Sequence, residues 1–231
     1  NSAVGMGVQE LARNKKKLVF FAGASSSAFT GAACSPYGTQ WSHDSYMFAS
    51  ALPALLTAKG DKNWFILTAD FAFGQALAAD TAKAVTDAGG KVVGSLKHPP
   101  NSSDFSSYLM QASASKANVV ALANATSDTT NSIKQWNEFQ MGGKGLKLVA
   151  LAFLPSDVKA LGLPVAQGTM FSTVFYWDLN DKTRAFSKRF YERNKFMPTE
   201  AHAGTYSAVY HYLRTVKAAG TSDPDVVRVK M

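Results

Sequence analysis

Apolar and polar positions alternate along this chain in two rhythms, and the switch between them sets its organisation. Val4, Val8, Leu11 and Ala12 recur at helical spacing, predicting a helix over residues 2–14 that ends where the lysines begin. Residues 18–21 form a continuous apolar run with two phenylalanines, the pattern of a buried parallel strand, and open into a loop of small and hydroxyl residues at 22–27. Residues 30–40, rich in Gly, Ala, Ser and Pro, read as irregular, and a helix follows over 45–59 with Pro53 as a kink or as the start of its straight part. Strands are then expected at 64–68, 92–96, 119–122, 146–152 and 169–175. Helices are expected between them at 74–88 (closed by Gly89 and Gly90), 103–114, 129–139 and 156–161. Strand and helix in strict alternation with short connections imply a parallel sheet covered on both faces.

After Trp177 the pattern turns purely helical, with helices expected at 181–194, 202–219 and from 223 onward. The expected division is therefore a complete α/β module over residues 44–177, flanked by residues 1–43 and 178–231, which pack together as a second, incomplete lobe. The crossings would fall near 43–44 and 175–177 and leave a cleft between the lobes.

Composition narrows the class. Hydrophobic residues at 46% and charged residues at 17% describe a globular chain rather than a disordered one. The longest apolar run, 46–58, is broken by Ser50, Pro53 and Thr57 and falls short of the roughly 20 residues of a membrane span. The net charge is +8, but the cations are scattered except for Lys15–Lys17, and no helix carries the density of Arg and Lys that nucleic-acid recognition needs. Cys34 is the only cysteine, which excludes an internal disulfide and a cysteine-based zinc site. The chain opens at Asn1, without an initiator Met or a visible signal peptide, and reads as a piece of a longer polypeptide.

No motif in the chain supports enzymatic chemistry. Gly23-Ala24-Ser25-Ser26-Ser27 lacks the second glycine of a nucleophile elbow. Gly5-Met6-Gly7 has neither a preceding strand nor a third glycine, and His43, His98, His202 and His211 form no metal-ligating set. What remains are loops at the carboxyl ends of predicted strands, where open α/β sheets bind ligands. Ala24, Ser25 and Ser26 offer hydroxyls and backbone N–H groups to a ligand with acceptor oxygens, although the same stretch also reads as a solvated turn. Phe71 and Phe73 open a helix, as helix–sheet packing or as ligand contacts. Asn124 and Ala125 follow a buried strand, with Asp128 placed to cap the next helix. Phe153 follows another strand, and Tyr176 and Trp177 stand at the second crossing, lining a cleft or sealing a hinge.

At these loops the sequence resembles the type I periplasmic binding proteins of ABC importers, in the branch of branched-chain amino-acid receptors and their aromatic-acid-binding relatives. NSAVGMGVQELAR, GASSS, CSPYGTQW, WFILTADFAFG, GGKVVGSLKHP, DFSSYLMQASASKANVVALANA, FYWDLNDKTRAFSKRF and MPTEAHAGTYSAVYHYL carry the likeness, in order, over nearly the whole chain. The resemblance implies a two-lobed, hinge-closing, non-enzymatic periplasmic receptor that needs no cofactor or metal and hands a small solute to a membrane permease. It implies a signal peptide in the upstream sequence. It places the ligand carboxylate at Ala24, Ser25 and Ser26, an aromatic stack at Phe73, and further contacts at Asn124, Ala125 and Phe153. Amino-acid receptors carry an acidic partner for the ammonium group near Phe153, whereas this chain has Leu151, Ala152 and Phe153, which favours an aromatic or otherwise apolar carboxylate, with Tyr176 and Trp177 as further apolar walls. A branched-chain amino-acid or amide receptor, and an intracellular ligand-sensing domain of the same fold, are the alternatives.

Overall fold

The computed structural model describes residues 1–231. In chain order its elements are α1 (Ser2–Asn14), β1 (Val19–Phe21), β2 (Gly38–Gln40), α2 (Ser45–Ala58), β3 (Asn63–Ala69), α3 (Ala72–Asp87), β4 (Lys91–His98), α4 (Ser106–Ala114) and β5 (Val119–Ala123). There follow α5 (Ser127–Glu138), β6 (Lys147–Ala150), α6 (Pro155–Leu161), α7 (Leu163–Ala166), β7 (Thr169–Met170), α8 (Asp181–Asn194), α9 (Glu200–Ala219) and α10 (Pro224–Lys230). The chain divides into two compact units, Ser45–Thr173 and the pair Asn1–Asp44 with Val174–Met231.

The central unit is a five-stranded parallel sheet in the order β4-β3-β5-β6-β7. Its strands read as apolar runs because both faces are covered. Trp64, Ile66, Val119, Ala121 and Val149 meet Phe48, Leu77 and Val85 of α2 and α3 on one face. The alternate residues Phe65, Leu67, Val120, Leu122 and Leu148 meet Leu109, Ile133 and Trp136 of α4 and α5 on the other. Gly74 lets the first turn of α3 lie against the sheet, since a Cβ there would meet the Ala69 and Ala123 carbonyl oxygens. The β3–β4 register shifts after Trp64↔Val92 to Phe65↔Gly94, a bulge that leaves Val93 without an opposite number. The Phe65 ring covers Gly94, 2.6 Å from where a Cβ would stand.

Within the central unit two sequence expectations are corrected. The strand expected over 169–175 pairs only at Thr169 and Met170, because its partner β6 ends at Ala150 and leaves the following residues no ladder to join. The helix expected from residue 103 begins at Ser106; Gln135 holds the segment before it, accepting from Phe105 N–H and donating to the Ser103 carbonyl.

In the other unit β1 pairs in parallel with β2, which corrects the expectation that 30–40 is irregular throughout. Gly38-Thr39-Gln40 has no apolar alternation to announce a strand, and its order comes from pairing with Val19–Phe21. Asn180 caps α8 by accepting from the Lys182 and Thr183 N–H groups, and Asp223 caps α10 through Asp225 and Val226. The Tyr37 hydroxyl donates to Asp225 at 2.7 Å, while Arg228 bonds the same carboxylate and lies over the Tyr37 ring, which fastens α10 to the loop before β2.

Candidate functional site

The serine turn is built by β1 and α1 together. Beyond Phe21 the chain turns through Ala24 into Ser25 and Ser26, which are only 4% and 2% exposed. Their two backbone N–H groups both point at one atom, the Ser2 hydroxyl oxygen on the first turn of α1, at 3.2 Å each. The backbone N–H groups that the sequence offers to a ligand on this turn are already engaged, because α1 packs closely enough for its buried serine to reach them. Gly5 permits that approach: a Cβ there would stand 2.8 Å from both the Ala24 Cβ and the Phe29 ring. The Ser26 hydroxyl accepts from Ala28 N–H at 3.3 Å, capping the short turn Ser27–Phe29, and Phe29 stacks on Phe21 at 4.4 Å. Nothing in the sequence singled out Ser2 beyond its place in a predicted first turn.

Tyr176 and Trp177 pack on each other with ring centroids 5.5 Å apart, and Tyr176 is 41% exposed. Val174, two residues before Tyr176, belongs to a polar cluster that no sequence motif marks. The Glu200 carboxylate, its side chain fully buried at the start of α9, meets His43 Nδ1 at 3.0 Å and accepts from Val174 N–H at 3.2 Å. The Ser42 hydroxyl donates to the Glu200 carbonyl and lies 3.1 Å from His43 Nδ1. Burial lowers the His43 pKa to about 4, favouring the neutral ring.

In the central unit the other candidates fall at the carboxyl ends of β3, β5 and β6 but not on one surface. Phe73, 9% exposed, belongs to the core on the α2–α3 face, with the half-buried Phe71 ring 6.2 Å away. Phe153 is 1% exposed in the core on the opposite face, edge-on to Phe171 at 5.4 Å. Asn124 is fully buried and its amide is committed inward: Nδ2 donates to His98 Nε2 and to the Ser132 hydroxyl, and Oδ1 accepts from Thr129 at 2.8 Å. His98 in turn donates from Nδ1 to the Pro99 carbonyl at 2.8 Å, which leaves Nε2 as the acceptor Asn124 requires. Ala125 packs against the α2–α3 core, and Thr126 after it has φ of +58°, a strained value for a β-branched residue. Asp128 sits in the first turn of α5 and accepts from Asn101 N–H.

No group of three or more His, Cys, Asp or Glu stands together to hold a metal ion, and no helix is long and apolar enough to cross a membrane.

A family model described as periplasmic binding protein matches residues 1–231. Among solved structures, a periplasmic binding protein from Burkholderia mallei is 40% identical, with a TM-score of 0.94 over 100% of this chain and 61% of its own. A branched-chain amino-acid ABC transporter periplasmic ligand-binding protein from Burkholderia xenovorans is 37% identical, with a TM-score of 0.90 over 100% of this chain and 62% of its own. A solute-binding protein of an ABC transporter from R. palustris, in complex with benzoate, shares the fold at 21% identity and a TM-score of 0.85, covering 99% of this chain and 63% of its own. No protein of curated function matches the chain. The chain thus spans about three fifths of the length of its solved relatives. With parallel sheets flanked by helices and a family match along its full length, the chain belongs to the periplasmic binding protein family.

Proposed function

We propose that the protein containing this chain is an extracytoplasmic solute receptor that captures a small carboxylate, aromatic in preference, and delivers it to an ABC permease. The observation that carries the ligand class is the convergence of the Ser25 and Ser26 N–H groups on a single oxygen. Two fixed donors aimed at one point offset the desolvation of a carboxylate oxygen, which is costly to bury otherwise. The Ser2 hydroxyl holds that point, and a ligand oxygen takes its place when Ser2 changes rotamer. The Ser25 hydroxyl adds a further donor from the same turn. Leu151 and Phe153, both buried and apolar, offer no carboxylate to an ammonium group, which weighs against an α-amino acid. Benzoate in the R. palustris relative supports the aromatic reading. In this reading Ala24 shapes the turn and Tyr176 with Trp177 supplies apolar surface, while the buried Phe73 and Phe153 back the loops after β3 and β6 as packing, and Asn124 and Ala125 set the loop after β5. The residues 1–43 and 178–231 then make one lobe and 44–177 the other, in a periplasmic protein with no catalytic role.

The name of the Burkholderia xenovorans relative favours a second reading, a receptor for branched-chain amino acids. Isothermal titration of the protein with benzoate, 4-hydroxybenzoate, leucine and leucinamide separates the two. Saturable binding of the aromatic acids and none of leucine is the expected result; leucine binding with no aromatic binding overturns it.

A further inference from the structure

Glu200 is a costly residue for its position. A carboxylate with no exposed surface gives up its hydration, and an apolar side chain would fill the space more cheaply. What the carboxylate does is hold two remote segments at once. The chain passes from one compact unit to the other after Asp44 and returns at Val174. One oxygen of Glu200 meets His43 Nδ1 at 3.0 Å, and the other accepts the Val174 N–H at 3.2 Å. The first of these segments lies directly on α9. Ser42 bonds the Glu200 carbonyl, and a Cβ at Gly204, one turn on, would stand 2.7 Å from the Ser42 Cβ. The turn that carries Glu200 is itself fixed, since Thr199 N–H donates to His202 Nδ1 at 3.0 Å.

We infer that Glu200 is a positioning residue: its carboxylate anchors on α9 both segments by which the chain passes between its two units. Residues 42–44 and Val174 are 130 positions apart in sequence yet share one fastening, so a disturbance of one is felt by the other. This holds whatever the solute is, and it stands apart from the ligand reading above.

Amide hydrogen exchange followed by NMR tests it in the 231-residue chain. Glu200→Ala should speed exchange at Val174 by about tenfold or more, the loss of a charge-assisted hydrogen bond, with β3 and β5 amides unchanged. Glu200→Gln should restore most of the protection, because an amide oxygen still accepts from Val174. His43→Ala should also speed exchange at Val174, a residue it does not bond, but add nothing in the Glu200→Ala background. Val174 exchange indifferent to His43→Ala, additive effects of the two substitutions, or equal acceleration throughout β3 and β5 would each overturn the assignment.

Discussion

Ser2 and Asn124 are small buried polar residues whose value lies in what they satisfy. Ser2 receives two backbone donors, so Ser2→Ala leaves both N–H groups of the serine turn without a partner. The expected cost is about 1–3 kcal/mol in urea unfolding. Ser25→Ala should leave stability nearly unchanged and weaken a bound benzoate by about 1–3 kcal/mol in titration calorimetry; an unchanged Kd removes its hydroxyl from the site. Asn124→Ala strips partners from His98, Ser132 and Thr129 together and should cost at least about 2 kcal/mol. The sequence places Asn124 at the right loop but does not show where its amide points. His98 ends β4 and Asn124 follows β5, and only the strand order, with both strands flanking β3, brings those two ends side by side. Partners set by sheet order are invisible to spacing along the chain.

Elements were legible in proportion to how much apolar surface they bury. The strands β3, β5 and β6 and the helices between them announce themselves as apolar runs and periodic faces, and their boundaries move by only a residue or two, apart from the start of α4. The strand β2, half-buried and built from Gly, Thr and Gln, has no such signal, and β7 looks longer in sequence than its neighbour allows. Glycines that set distances between elements are equally silent until the partner is known. Gly5→Ala pushes a methyl into Ala24 and Phe29, so α1 and the serine turn must part. The expected effect is a loss of about 1–3 kcal/mol together with weaker carboxylate binding. Gly7→Ala, with open space around its Cβ position, is the control and should raise stability slightly.

At the scale of the whole chain, charge and acidity are the measurable handles. The folded protein keeps His43 neutral, with its pKa lowered from 6.5 to about 4, so between those values the unfolded chain binds more protons. Stability is therefore complete above pH 6.5 and falls as pH drops toward 4, by at most about 3 kcal/mol, since the Glu200 carboxylate beside the ring works against its burial. Denaturant unfolding at pH 7 and pH 4.5 reads this slope, and His43→Asn should flatten it over that window. The unit made of Asn1–Asp44 and Val174–Met231 holds fourteen Lys and Arg against eight Asp and Glu, so most of the net charge of +8 belongs to it. The residue squeezed out of register at Val93 has a bearing on solubility as well. The strand β4 is the outermost of its sheet, with peptide groups facing outward that would template an incoming chain. A kinked margin flanked by Lys91 and Lys97 makes a poor template, and straightening it by deleting Val93 would be expected to turn a self-limiting sheet into one that recruits its own copies.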